Sequence, residues 1–418
     1  MEPSRIISYL KDNYPITPEQ LDNIQAVLTA HLYFFGDHFK YPLEVPSERI
    51  KNTHRKYLRY LFILYKIYQN KKTPAGKKII LSSSYFSVND ELKYLGFQVY
   101  CPCWEMTKDR DVLTSLNIFL SSERIAERFN DLDFNELLSP AFIEEISAFE
   151  EKLRLFYHDK KISSVFVPAD VPFFSNLSIK VCRELNIPSF IFLHGLPQDM
   201  PNSRYTRSDY LIVWGEKIKE NYIKDGMNPD KIFVSGHPSY KDFRIRELKF
   251  ELDDIIVLTK SVSGSDFGDR ANSILYLYSI EKVLKKIGVM SATLRPHPGE
   301  NAKWYMKFVN KNFYRIDNNR SAKSIRKASL IIGPTSSVLL ESIYNGINYL
   351  VYEPIVKGLD FTSCRLFSPF DGSDTRVPVA KNEDDLEFTI RNKIKIDPSF
   401  FTEYSKIPFD LSFVKKLI

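Results

Sequence analysis

Two stretches in the second half of the chain combine residue types that hold phosphate. The first, Leu294-Arg-Pro-His-Pro-Gly-Glu300, directly follows an apolar run that reads as a strand. Open parallel sheets bind ligands at the carboxyl ends of their strands, so Arg295 and His297 would project where an anion could sit. Pro296 and Pro298 stiffen that loop and preset the imidazole, although a loop histidine can also be satisfied by backbone alone. The second stretch is Leu330-Ile-Ile-Gly-Pro-Thr-Ser-Ser-Val-Leu-Leu-Glu-Ser342, which reads as a strand, a hydroxyl-rich turn and a helix. Hydroxyls and unpaired N–H groups at a helix start favour negative charge, so Thr335, Ser336 and Ser337 could cradle a phosphate. A simple N-cap would need only one serine. Glu341 lies one helical turn further in, where it can reach a ribose hydroxyl or serve as a favourable first-turn acid.

Other candidates also sit at strand ends. Asp170, in Val165-Phe-Val-Pro-Ala-Asp-Val-Pro172, could serve as a general base or a nucleophile, or cap the following helix. His194, before Gly195, could orient a substrate or be structural. Lys260 and Ser261 follow a strand and could reach a phosphate or carboxylate. His237, in Ser235-Gly-His-Pro-Ser239, reads as structural or cleft-lining. Gly264-Ser-Asp-Phe-Gly268 lacks the glycine spacing of a Walker loop or a dinucleotide fingerprint. No Asp-x-Asp pair accompanies the phosphate signals, so no divalent cation or cofactor is demanded.

These residues need strands to end and helices to begin beside them. Residues 1 to about 75 read as helical, with Thr17-Pro-Glu-Gln20 as a helix start. Tyr57–Tyr68 reads as a packed helix, with a membrane-surface helix as the alternative. From Lys77, apolar runs of four to six residues alternate with helical stretches, the signature of βαβ units on a parallel sheet. The alternation restarts after a polar hinge at 241–254. The reading is therefore α/β, two sheets in tandem with a cleft between them.

Composition sets the class. The 418 residues are 44% hydrophobic and 26% charged, the balance of a folded globular chain of two or three domains. A net charge of +6 is mild for this length and short of the basic stripes of nucleic-acid binders; it suits an anionic substrate or a membrane surface. No apolar stretch is long enough to span a membrane, and the first residues lack signal-peptide features, so a cytoplasmic protein is expected. Cys101, Cys103, Cys182 and Cys364 are too few for a disulfide framework and read as free thiols.

Arg295-Pro-His-Pro298, followed about forty residues later by Gly333-Pro-Thr-Ser-Ser337 and a helix, resembles the His-Pro and Ser/Thr motifs of bacterial GT-B glycosyltransferases that use cytidine nucleotides. These include capsule polysialyltransferases, lipooligosaccharide sialyltransferases, β-Kdo transferases and CDP-glycerol polymerases. Phe192-Leu-His-Gly195, Val213-Trp-Gly215 and Lys231-Ile-Phe-Val-Ser-Gly-His-Pro238 look like strand ends and the interdomain crossing of the same group. The resemblance spans roughly residues 160–355. It implies a GT-B-like fold of two Rossmann-like domains facing across a cleft: residues 1–240 an acceptor-side domain with a helical extension, 241–385 a nucleotide-donor domain, and 386–418 a helical segment returning to the first domain. It also implies that His297, Ser336 and Ser337 hold the donor phosphate, with departure assisted without metal. The substrates implied are a CMP-activated sugar of the Kdo or sialic-acid type and a glycan or glycolipid acceptor of capsule or lipopolysaccharide synthesis, reached from the cytoplasm with peripheral inner-membrane association and without nucleic acid; the alternatives are a CDP-glycerol or UDP-sugar transferase of the same fold and a non-catalytic nucleotide- or glycan-binding module. The Glu-Asp-Gly motif of polysialyltransferases is not intact; Asp266-Phe-Gly268 is its nearest echo, which makes Asp266 a further catalytic candidate.

Overall fold

The computed structural model describes residues 53–69, 76–84, 86–105, 111–131, 139–170, 172–196, 207–259, 267–297, 305–317, 321–356, 359–360 and 366–418, with scattered positions between 8 and 26. Lys260, Ser261, Asp266 and Pro298 lie outside the described residues, as does much of the helical extension.

Helix α1 (Thr53–Gln69) precedes the first sheet, whose strands are β1 (Ile79–Ser82), β2 (Gln98–Tyr100), β3 (Ile162–Val167), β4 (Ser189–Phe192), β5 (Tyr210–Val213) and β6 (Ile232–Val234). Helices α2 (Phe86–Tyr94), α3 (Leu116–Asp131), α4 (Pro140–Asp159), α5 (Phe173–Glu184) and α6 (Glu216–Lys224) connect them. The strands are all parallel in the order β2-β1-β3-β4-β5-β6. Both faces are covered by helices, which is why β1 and β4 are buried at every position. Among the described residues, the helical region expected over 110–158 holds α3 and α4. Ser139 accepts a hydrogen bond from the Phe142 N–H and Pro140 opens α4, a start signal strong enough to divide the run.

The second sheet contains β7 (Ile255–Leu258), β8 (Ala292–Arg295), β9 (Tyr314–Ile316), β10 (Leu330–Gly333), β11 (Tyr349–Tyr352) and, after a β12 (Ile355–Val356) and β13 (Leu359–Asp360) hairpin, β14 (Val379–Ala380). Helices α7 (Phe267–Lys286), α8 (Ser321–Lys327) and α9 (Val338–Tyr344) connect its strands. The order is β14-β11-β10-β7-β8-β9, again all parallel. The expected α/β arrangement of two parallel sheets in tandem is thus what the chain adopts. Alternation along the strands sends Ile256, Leu258, Ile331 and Val351 to an apolar core continuous with that of the first sheet. Ile255, Val257, Leu330 and Ile332 go to a second core under α7.

Helix α10 (Glu383–Arg391) packs on α7, with Leu386 and Ile390 in the second core and Glu383 and Glu387 on Lys282 and Lys286. The chain touches the first domain at Ser368, whose carbonyl accepts from the Asn221 side chain, and after α10 it packs there through α11 (Phe401–Tyr404) and α12 (Val414–Leu417). The Lys406 N–H donates to Trp214 O and the Asp410 N–H to Ser235 O, both at 2.8 Å, and Phe413 stacks on Phe233. This strap passes so close that a Cβ on Gly236 would collide with the Lys406 carbonyl. Gly236 also has φ +86°, which other residues rarely adopt. Gly236→Ala is therefore expected to lower stability by about 2–3 kcal/mol, read as a reduced urea midpoint at unchanged slope.

Helix α1 packs as expected along one face, with Tyr60, Phe62 and Ile67 against the core, and leaves the other face open. Ile63 is buried, yet Tyr57, Leu58, Leu61, Leu64, Tyr65 and Tyr68 are exposed. Those six share one face at helical spacing, and a single helix lying on a domain can bury only its opposite stripe. No helix among the described residues is long and apolar enough to cross a membrane.

Candidate functional site

In a doubly wound sheet, ligands sit where the strand order reverses. The second sheet reverses between β7 and β10, the first between β1 and β3. Asp170, His194, Arg295, His297 and the Thr335–Ser337 turn fall at the carboxyl ends of these strands or of their neighbours.

At the second reversal, Thr259 follows β7 and ties in the β8 loop. Its hydroxyl oxygen accepts the His297 N–H at 3.0 Å, and its own N–H points to Arg295 O. His297 is exposed there. Arg295 does not project as expected. Its guanidinium Nη1 lies 2.6 Å from the buried Asp317 carboxylate, with Ser324 Oγ at 3.5 Å. Arg295 therefore neutralises Asp317 and braces the loop from below.

The turn after β10 is fixed by side chains of β11 and the residue that follows it. A Cβ on Gly333 would run into the Tyr349 hydroxyl, so glycine is needed for the close approach. That hydroxyl donates to Pro334 O at 2.6 Å. The Thr335 N–H and hydroxyl both donate to Glu353 Oε1, each at 2.5 Å. Thr335 thus turns inward. Ser336 Oγ accepts the Val338 N–H at 3.2 Å, which makes it a cap. Ser337, half-buried, sits at the start of α9 with no side-chain capping bond. Glu341 is half-buried one turn further along, its carbonyl accepting from the Asn345 side chain.

At the first reversal the Ser82–Ser84 run ends β1, with the Ser83 N–H on Phe166 O of β3. Asp170, three residues beyond β3, is 5% exposed. It does not cap α5, whose N-cap is Pro172 with no side-chain bond. Its carboxylate instead accepts the Arg207 N–H, anchoring the segment that leads into β5. Burial pushes its carboxyl above the usual range, against the opposing pull of the Arg207 backbone and charge. His194, after β4, is exposed, and its Nδ1 lies 3.0 Å from Pro168 O. A carbonyl only accepts, so Nδ1 carries the proton and Nε2 is the basic nitrogen of the neutral ring.

His237 is packed at the interdomain crossing, with ring centroids 4.5 Å from Trp214 and 4.6 Å from Tyr240. Its Nδ1 accepts the Ser239 N–H. Burial lowers its pKa to about 4. Sequence reasoning passed over Thr259, Tyr349 and Glu353. The signal for Glu353 was present, a carboxylate directly after the apolar run Tyr349–Tyr352 and level with the hydroxyl turn. Among the described residues, no group of three His, Cys, Asp or Glu side chains is arranged to hold a metal ion.

No protein-family model matches the sequence, and no curated protein matches it. Solved structures do align with it. Staphylococcus aureus MnaA with UDP is 10% identical over 82% of this chain and 94% of its own, with a TM-score of 0.47. The UDP-GlcNAc 2-epimerase from Neisseria meningitidis bound to UDP-GlcNAc is 14% identical over 84% and 93%, at 0.43. Acinetobacter baumannii MurG is 14% identical over 82% and 99%, at 0.41.

Proposed function

We propose that the chain is a glycosyltransferase that holds a nucleotide-activated sugar at the carboxyl ends of β7, β8 and β10 and passes the sugar to a glycan acceptor held by the first sheet. The observation that carries this reading is the turn at 333–337. It is clamped on its inner side by Tyr349 and Glu353, next to Thr259 and the exposed His297, at the strand reversal where α/β sheets take ligands. Ser336, Ser337 and His297 would bind the donor phosphate, with Glu341 on the ribose. Fixed donors of this kind stabilise the charge that develops on the departing phosphate, without metal or cofactor. Asp170, with its raised pKa, and His194 would act on the acceptor hydroxyl or the anomeric carbon from the first sheet.

The donor we propose, on the resemblance of the His-Pro and Ser-Ser motifs, is a CMP-activated 3-deoxy-ulosonic acid of the Kdo or sialic-acid type, and the acceptor a bacterial surface glycan or glycolipid. Lys260, Ser261 and Pro298 belong to the same proposed donor site, and Asp266 is the reserve catalytic carboxylate. The chain would work in the cytoplasm at the inner-membrane face. The exposed apolar face of α1, a helix that contains basic residues and no acidic ones, fits peripheral contact with an anionic lipid surface.

Calorimetry with CMP, CDP and UDP tests the donor: selective CMP binding is expected, and selective UDP binding would transfer the reading to a UDP-sugar enzyme. Ser337→Ala, which removes a hydroxyl without a capping bond, should weaken CMP binding by about 1 kcal/mol, and the Ser336→Ala/Ser337→Ala double variant by about 1–3 kcal/mol. Unaltered dissociation constants in both would reduce these serines to helix capping.

A further inference from the structure

We propose that Glu353 is the positioning residue of the nucleotide turn, acting through Thr335 to aim Ser336 and Ser337 at the donor phosphate; this rests on the donor-site reading above. Glu353 immediately follows β11 and is only 2% exposed. A carboxylate in such a place is costly to bury unless its oxygens are hydrogen-bonded. Here Oε1 takes both donors that Thr335 offers, the backbone N–H and the hydroxyl. A turn of hydroxyl residues would otherwise be free to present any of its three side chains to a ligand. With Thr335 drawn inward, the next two residues are left to face outward, where Ser336 also sets the start of α9.

The same strand supplies the other restraints. Tyr349 holds the Pro334 carbonyl, and its ring leaves room at Gly333 for glycine alone. Three successive residues of the turn are therefore fixed by two side chains four positions apart, one within β11 and one just past its end. Glu353 is itself held to the neighbouring strand, its N–H donating to Ala380 O at 2.9 Å. Charge-assisted bonds of this kind are stronger and more directional than those of a neutral acceptor, which suits a group that sets geometry.

The test compares nucleotides with their nucleosides on the full chain. Calorimetry gives affinities for CMP and UDP, and ligand-observed NMR gives those for cytidine and uridine. Glu353→Ala is expected to weaken the preferred nucleotide by about tenfold or more while changing its nucleoside by less than about twofold. Glu353→Gln keeps an oxygen where Oε1 stands and should return nucleotide affinity to within about threefold of the unmodified chain. A folded Glu353→Ala variant with unchanged nucleotide affinity overturns the proposal. So does an equal loss for nucleoside and nucleotide, or a Gln variant as weak as Ala. If Glu353→Ala fails to fold, Thr335→Val decides: it removes one of the two bonds, and a loss of at least about threefold in nucleotide affinity is expected, no loss being fatal. Failure of the unmodified chain to bind either nucleotide would overturn the donor-site reading and this inference with it. Binding by the unmodified chain that the variants leave untouched would overturn the inference alone.

Discussion

Asp170→Asn is expected to cut sugar transfer by about 10²–10⁴-fold while leaving nucleotide affinity unchanged, the range typical for loss of a general base. Asn retains an oxygen that can accept the Arg207 N–H, so the anchor into β5 survives and the charge alone is removed. The stability readout has a definite sign. Burial raises the folded pKa of Asp170 above its unfolded value, so its ionisation opposes folding as pH rises through that folded value. At neutral pH the Asn variant should then melt no lower than the unmodified chain. The pH profile is set by the same shift. A base with a raised pKa gains activity on the acidic limb at higher pH than an ordinary carboxylate would, and this limb should vanish in the variant. Full activity in a folded Asp170→Asn chain would move the catalytic role elsewhere, with Asp266 and His194 next. A covalent sugar adduct on Asp170, detected by intact mass after mixing with donor, would identify it as a nucleophile.

The second large effect is acid sensitivity caused by His237. Its folded pKa of about 4 lies below the ordinary value of 6.5, because burial disfavours the imidazolium. The unfolded chain therefore takes up a proton first. The stability that the neutral ring contributes is complete above the unfolded value and is lost as pH falls from about 6.5 toward 4. The loss should reach about 2 kcal/mol by pH 5, before most carboxylates begin to titrate. His237→Asn supplies a non-titrating acceptor for the Ser239 N–H, at the expense of ring packing on Trp214 and Tyr240. It should be less stable at pH 7 yet show a flatter dependence between pH 7 and 5 in urea titrations. An equally steep dependence in that variant would place the acid-sensitive group elsewhere.

The sequence by itself determined the class of the fold and the addresses of the candidate site. Apolar runs such as Ile79–Ser82, Ser189–Phe192, Ile255–Leu258 and Leu330–Gly333 are buried on both faces, and continuous apolar strands between helical stretches leave little alternative to parallel sheets. Polar residues directly after such a run stand at a strand end, and that placed His194, His297 and the Thr335–Ser337 turn. Short edge strands escaped this logic. Tyr314–Ile316 and Val379–Ala380 are three and two residues long and carry no periodicity to read.

Tertiary structure alone decided which way the polar groups face. Arg295 and Thr335 have the chemistry to meet a phosphate, but each lies beside a buried carboxylate, Asp317 or Glu353, that is distant in sequence and adjacent in the sheet. Asp170 is an N-cap by sequence position and an anchor for Arg207 in space. The strap that forces glycine at 236 comes from far downstream, at Lys406. Burial is set by neighbours brought together across strands, so hydrogen-bond partners and pKa shifts depend on sheet order, while strand and helix depend on local spacing.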